Sequence, residues 1–475
     1  MRKNSRVKRT FASVFCFVLI LFYNNCGPGF KSSTDLSSLD STANSGGSST
    51  PTTTTLPSSG GNSTTTTIPV SGGGGNPVTT TTLPSSGGGS STTTTLPNNS
   101  AAQIAFPPNG ATSDAHIVVR GNITAGSQVS QVSVNGVQAT ITNSNWRADV
   151  PLQVGANNLS VNVTANGVTK TGVASVAIQR FSSDTAITRG SGNWATRILG
   201  MSYDSVNQRL VMGDDTIDGA WEMRMSDGNR RILSDSEDSP KIGGGIDLTF
   251  PTAVTTSANQ CFVVDDTLIA AIDLTTGTRS LVIDTKTVGF GDLYLTPDAK
   301  SLFVLALDSE SILKMNPTNG TSSVVSSSTV GSGSSLNNIA GMGISWAQNK
   351  AYTTTYYGDT ILSVDLSTGV RQVFSNAASG EPKFADPRHV IVDDISGQAF
   401  VWDSKQLTAI NLQTGRRKLI GNSGPLTSLT AIVTMTMTPY GPALLDYVPS
   451  YEGPFRSPTV ILIDPIEGTR LILSR

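Results

Sequence analysis

"DLTTGTRSLV", residues 273–282, reads as two β-strand ends around a tight turn. The phrase returns as "VDLSTGVRQV" (364–373), "INLQTGRRKL" (410–419) and "IDPIEGTRLI" (463–472). A polar residue followed by glycine in the left-handed region makes a short hairpin turn, because glycine takes positive φ without a Cβ clash. Aligned on that glycine, the copies fall at Gly228, Gly277, Gly320, Gly369, Gly415 and Gly468, spaced 49, 43, 49, 46 and 53 residues apart. Six repeats of this length, each holding several short strands, mark a β-propeller.

Each unit reads as four strands, which in the fifth are "PRHVIVDD", "QAFVWDS", "QLTAINL" and "RRKLIGN". The repeated phrase joins the third strand to the fourth, where Asp273, Asp365 or Asp464 can hydrogen-bond into the turn. Arg230, Arg279, Arg371, Arg417 and Arg470 follow the turns, and their repetition suggests exposed pairing with neighbouring acids, a weak contribution for each pair. Asp214, Asp265, Asp308, Asp403 and Asp446 all end a second strand, so their periodicity points to a structural role rather than a metal cluster. "DDTIDG" (214–219) lacks the ligand spacing of an EF-hand. Whether "DTAITR" (184–189) adds a closing strand is open at this level.

Residues 101–183 hold short alternating runs broken by turn residues, among them Asn135-Gly136, a type I′ hairpin signal. About seven strands are expected, arranged as a β-sandwich. The order "VSVNGVQATI…NWRADVPLQVGANNLSVNVT" resembles bacterial Ig-like modules, which implies a spacer or adhesive unit, and a spacer is the reading adopted. Trp146 reads as a core plug and His116 as a residue without a functional role.

The N-terminus speaks to location. Five basic residues (Arg2, Lys3, Arg6, Lys8, Arg9) precede the apolar run "FASVFCFVLILFY" (11–23), too short to span a bilayer and patterned as a signal peptide. Without those five cations the remaining 27 basic residues face 34 acidic ones, a formal charge of −7 that argues against nucleic acid as a partner. "YNNCGPGF" resembles the lipobox of bacterial lipoproteins, although Tyr23, Asn24 and Asn25 depart from that pattern. The resemblance implies lipidation at Cys26, with Gly27 implying sorting to the outer membrane; the alternative is an ordinary secreted protein. Cys261 is then the one remaining thiol, read as a buried structural group rather than a nucleophile. Between anchor and folded part, "TTTTLP" or "TTTTIP" starts at residues 52, 64, 79 and 92 among Gly and Ser. One Leu or Ile per unit cannot offset the entropy of ordering the backbone, so a disordered tether is expected.

The expected fold class is therefore all-β: a six-bladed β-propeller preceded by an Ig-like β-sandwich and a disordered Thr/Ser/Gly/Pro stalk. The boundaries are 1–25 for the signal peptide, 26–100 for anchor and linker, 101–183 for the sandwich and 184–475 for the propeller. The stretch "DLSTGVRQVFSNAASGEPKFADPRHVIVDD" looks like the NHL and YncE-like propellers of bacterial envelopes. A second resemblance is to the gluconolactonase family, whose six-bladed members bind a divalent metal in the central channel through a Glu, two Asn and an Asp. The inner-strand starts offer Arg197, Thr252, Asp292, Met342, Arg388 and Thr430, which do not supply that set.

Function has to be argued from a site, because propellers host many activities. Unequal segments on the face opposite the repeated turns are the candidates. "DYVPSYEGPFRSPT" (446–459) carries Tyr447, Tyr451, Phe455 and Arg456, and "TTTYYGDT" adds Tyr356 and Tyr357, residue types favoured at binding hot spots. Arg197, Asp292, Arg388 and His389 are placed at the channel entrance, either paired structurally or functional. No serine-hydrolase elbow, phosphate loop or zinc motif is present, and no cofactor is expected. The reading is a lipid-anchored, monomeric envelope protein that binds a protein, peptide or glycan. The alternatives are a gluconolactonase-like metal hydrolase and a purely structural or adhesive surface protein.

Overall fold

The computed structural model describes residues 101–192, 197–237, 241–356, 358–403, 406–420, 429, 432–446 and 458–475, all within one compact unit, Ser91–Arg475. The expected signal peptide and stalk, with Cys26, Tyr357, Thr430, Tyr447, Tyr451, Phe455 and Arg456, lie outside the described residues. The described chain is β throughout, with two single 3₁₀ turns, Asp184–Ala186 and Ala377–Ser379.

Six four-stranded antiparallel sheets follow one another in chain order and form the blades of a propeller: 198–234, 251–284, 290–326, 339–375, 387–419 and 432–474. The first strand of each blade lies innermost, and first strands pack against first strands around the ring, with Ile198–Asp204 of blade 1 closing against Ile432–Thr438 of blade 6. The central strands carry the apolar run of a sheet buried on both faces; Arg209–Asp214 and Gly441–Asp446 are buried at every position.

The repeated phrase is explained by what touches it. All six turn glycines have positive φ, between 69° and 75°. In five blades the fourth strand bulges by one residue, at Leu233, Val282, Val325, Phe374 and Leu473. Each bulged carbonyl faces the turn glycine of the next blade, where a Cβ would come within 2.2 to 2.5 Å of the oxygen. One residue beyond the bulge, at four junctions, stands a serine. Ser234, Ser326, Ser375 and Ser474 donate to the carbonyls of Gly277, Gly369, Gly415 and Gly228, at 2.7 to 3.0 Å. The same hydroxyls accept from Arg279, Arg371, Arg417 and Arg230, at 2.5 to 2.9 Å.

These arginines are not the exposed ion pairs that the sequence suggests. Arg279, Arg371, Arg417 and Arg470 are buried and Arg230 is half-buried, because the turn tucks them under the neighbouring blade; Arg417 also reaches the carboxylate of Asp359 there. Between blades 2 and 3 the serine and the arginine are lost together, Ile283 and Ser322 occupying their places. The turn acids act as expected: Asp273 and Asp365 each accept two backbone N–H bonds, and Asp464 accepts that of Ile466. Second-strand Asp265 and Asp403 each accept two backbone N–H bonds from the segment entering the first strand of their blade.

Residues 102–180 form two sheets around a core that contains Trp146, which seats on Gly121. Asn145–Pro151 alternates exposed and buried at every residue, the period of a strand with one face in the core. Nine strands are present rather than seven, the extra ones being the short segments Gly110–Thr112 and Val137–Gln138. Asn135 and Gly136 both have positive φ, as the hairpin reading requires.

The sandwich is joined to the propeller edge. Gly110–Thr112 pairs with Arg470–Ser474 on one side and with Val168–Arg180 on the other, so blade 6 and one sandwich sheet form a single nine-stranded sheet. Arg120 and Arg147 stand directly opposite each other on adjacent sandwich strands, an unfavourable like-charge pair in isolation. Blade 6's turn resolves it: Arg120 pairs with the fully buried Asp464 at 2.7 Å and Arg147 with Glu467 at 2.8 Å. Residues 184–189 form no strand, but the backbone of Arg189 exchanges two hydrogen bonds with Arg475, tying down the C-terminus.

Gly369→Ala is expected to cost about 2–4 kcal/mol, combining left-handed strain with collision against Val325. Gly136→Ala, at similar φ but in open space, should cost about 1 kcal/mol. Equal losses in urea unfolding would show that backbone strain alone, not blade packing, demands the turn glycine.

Candidate functional site

The first strands enclose a central channel of about 440 Å³, lined from all six blades. Every first strand begins with a one-residue bulge, between residues 198/200, 251/253, 290/293, 339/341, 387/389 and 432/434. Counting from these bulges sets the true equivalence of positions. Asp292 aligns with Gly200, Ala253, Gly341, His389 and Thr434, not with Arg197, Met342, Arg388 or Thr430, because an extra residue at each entry shifts the frame. Five of the six equivalent positions carry no carboxylate, and blade 4, between Asp292 and His389, contributes only a glycine.

The four charged candidates separate accordingly. Arg197 pairs with Asp215 at 2.9 Å and lies over the Phe250 ring at 5.9 Å. Arg388 pairs with Asp386 at 2.8 Å. Both guanidiniums are thus held as structural ion pairs, Arg388 by an acid of its own entry segment and Arg197 by the acid that follows the second strand of its blade. Asp292 and His389 line the channel itself. One Asp292 oxygen accepts the Met342 backbone N–H at 2.8 Å. Tyr294, two residues on, lines the same space, as do Tyr203 and Trp346 nearer the opposite mouth; Trp346 packs against Phe303 at 5.9 Å between ring centres. Tyr356 sits on the rim, 41% exposed, and is not among the residues lining the channel.

These groups keep some surface open to the channel although protein surrounds them, and that enclosure governs their ionisation. Burial raises the Asp292 carboxyl to about 6, against the lowering effect of the Met342 N–H. Burial, with a smaller contribution from the Arg388 charge, lowers His389 to about 4. Burial and then the nearby Asp292 charge hold the Tyr294 hydroxyl protonated far into the alkaline range. At neutral pH the channel therefore presents a carboxylate, a neutral imidazole and a phenol, with one hydrogen bond among them in the described residues. Among the described residues no three His, Cys, Asp or Glu side chains converge as metal ligands. Cys261 is fully buried, its thiol raised to about 12 by burial, which suits a structural group.

Tyr203, Tyr294 and Trp346 were not legible as site residues from sequence. Strand aromatics usually fill cores, and all three also pack against core clusters here, so their sequence signal is that of core residues.

No protein-family model matches the chain, and no curated protein is similar to it in sequence. Solved structures share its general shape. A protein of unknown function from Bacteroides thetaiotaomicron is 12% identical with a TM-score of 0.42, over 74% of this chain and 96% of that one. An auxiliary nutrient binding protein from the same organism is 9% identical with a TM-score of 0.42 over the same shares. A gluconolactonase from Xanthomonas campestris is 15% identical with a TM-score of 0.39, over 53% of this chain and 83% of that one. Likeness at this level carries nothing about ligand or chemistry.

The two shifted groups predict opposite pH effects on stability. His389, lowered in the folded state, contributes stability that is present above its ordinary value of 6.5 and lost as pH falls through about 4. Asp292, raised, contributes stability that is present below 3.8 and lost as pH rises through about 6. His389→Gln should therefore lose less thermal stability than wild type on acidification from about pH 7 to about pH 4. Parallel melting curves across that range would refute the assignment.

Proposed function

We propose that this chain is a binding protein of the bacterial envelope, lipidated at Cys26 and tethered by its Thr-rich stalk. It presents the propeller, with its attached sandwich, to a protein, peptide or glycan partner. The observation that carries the reading is the channel. Its residues depart from the repeat, and within walls of mixed polar and apolar side chains it gathers an enclosed carboxylate, imidazole and phenol, Asp292 accepting only the Met342 N–H among the described residues. The aromatic residues of 446–459, read from the sequence alone, are a second candidate contact.

Residues 91–475, immobilised and exposed to envelope extract, should enrich a discrete partner, identified by mass spectrometry. The Tyr451→Ala/Phe455→Ala protein should lose it if the rim insertion forms the contact. No enrichment with either protein counts against the binding reading and favours a structural or adhesive role. The anchor is tested separately: Cys26→Ala should abolish incorporation of labelled palmitate and release the chain from the membrane fraction. Unchanged labelling and fractionation would remove the lipoprotein assignment.

A further inference from the structure

Among the described residues three carboxylates line the channel, those of Asp292, Asp393 and Asp394, and no Lys or Arg does. The two mouth acids have local partners: Asp393 accepts the Ile395 N–H at 3.0 Å, and Asp394 accepts from the Ser345 hydroxyl and the Ala347 N–H. Asp292 has the Met342 N–H alone. Other enclosed acids are far better served; Asp204 accepts two backbone N–H bonds, the Asn207 amide and Arg209, while Asp464 holds Arg120. The two guanidiniums nearest in sequence to the channel, Arg197 and Arg388, are committed to Asp215 and Asp386. An enclosed carboxylate without a counter-ion is costly, and a cation that enters the cavity removes that cost.

We propose that the channel binds a positively charged nitrogen, ammonium or guanidinium, with Asp292 as counter-ion, Asp393 and Asp394 attracting it at the mouth, and Tyr203, Tyr294 and Trp346 as aromatic walls. Aromatic faces attract cations through their quadrupoles, and a low-dielectric channel of single-sign charge concentrates the opposite sign. The cavity's volume of about 440 Å³ admits a Lys or Arg side chain or a free polyamine. This deepens the binding reading above and rests on it. Binding should depend on pH through Asp292. The ionisable groups that share its space are Tyr294 on its own strand and His389 from blade 5, whose neighbour Arg388 is held by Asp386; the first strands of blades 2, 4 and 6 carry no ionisable side chain.

The test is calorimetric titration of the 91–475 unit, with EDTA present, using Nα-acetyl-lysine amide, Nα-acetyl-arginine amide and spermidine, with Nα-acetyl-norleucine amide as neutral control. Saturable binding of a cationic probe is expected near pH 7.5, at least about tenfold weaker near pH 5 and in Asp292→Asn, with no binding of the control. Asn can still accept the Met342 N–H, and a matching melting curve confirms that the variant folds. Preference for a capped amino acid over spermidine assigns the source to a peptide side chain, the reverse to a free polyamine. Absence of cation binding, equal binding of the neutral control, or affinity unchanged in Asp292→Asn overturns the proposal. Partner capture by wild type in the extract experiment, together with any of these results, leaves the broader binding reading standing.

Discussion

The structure depends on one repeated contact: at five of the blade junctions a bulged carbonyl of the outer strand is pressed against the turn glycine of the next blade. Because a Cβ at that glycine would lie within 2.5 Å of the oxygen, the blades approach as closely as backbone allows. A serine hydroxyl then bridges the glycine carbonyl and a buried guanidinium, so one small side chain satisfies two groups that packing takes out of water. Hydrogen bonds to a charged donor contribute about 1.5–3 kcal/mol each, and loss of either partner would leave the other buried and unsatisfied. Ile283 and Ser322 at the junction of blades 2 and 3 follow this logic. With the guanidinium gone, the hydroxyl has no second duty, and an apolar residue can take its place.

The ring closes without borrowing a strand from the other terminus. Blade 1 and blade 6 are each complete, and their junction uses the same serine and arginine, Ser474 and Arg230, as the others. Arg189 adds a backbone clamp on the last residue. The sandwich uses what blade 6 leaves over, the open edge of its outermost strand and the acids of its turn. Pairing of Ala111 with Ile472 covers an edge that would otherwise offer unpaired N–H and C=O groups to another chain. The shared sheet and the Arg120–Asp464 and Arg147–Glu467 pairs make the sandwich part of the propeller's structure rather than a bead on its tether.

Six-fold repetition builds the walls, and departures from it build the channel. Where the repeat is obeyed, acids receive backbone donors and arginines receive serines. Asp292 and His389 lie where it is not, at equivalent positions otherwise filled by Gly200, Ala253, Gly341 and Thr434. At Gly200 and Gly341 the backbone of the next blade comes so close that a Cβ would meet it at 2.7 and 2.3 Å, so no side chain fits there. The shifted ionisation of both follows from the same enclosure, and so does the lack of partners that makes the channel receptive.

The repeat period, the four-strand units, the turn acids and the hairpin at Asn135-Gly136 were legible in the sequence, because each depends on local geometry that a few residues impose. Asp292 and His389 were legible as candidates by position, yet so were Arg197 and Arg388, and sequence offered no way to separate them. Tertiary structure decided three things. It buried the turn arginines, because their surroundings belong to another blade some forty residues away. It joined the sandwich to blade 6, because strand pairing at an open edge leaves no periodic mark in the three residues Gly110–Thr112. It chose which charges face the channel, because one bulged residue at each strand entry exchanges the faces of all that follow.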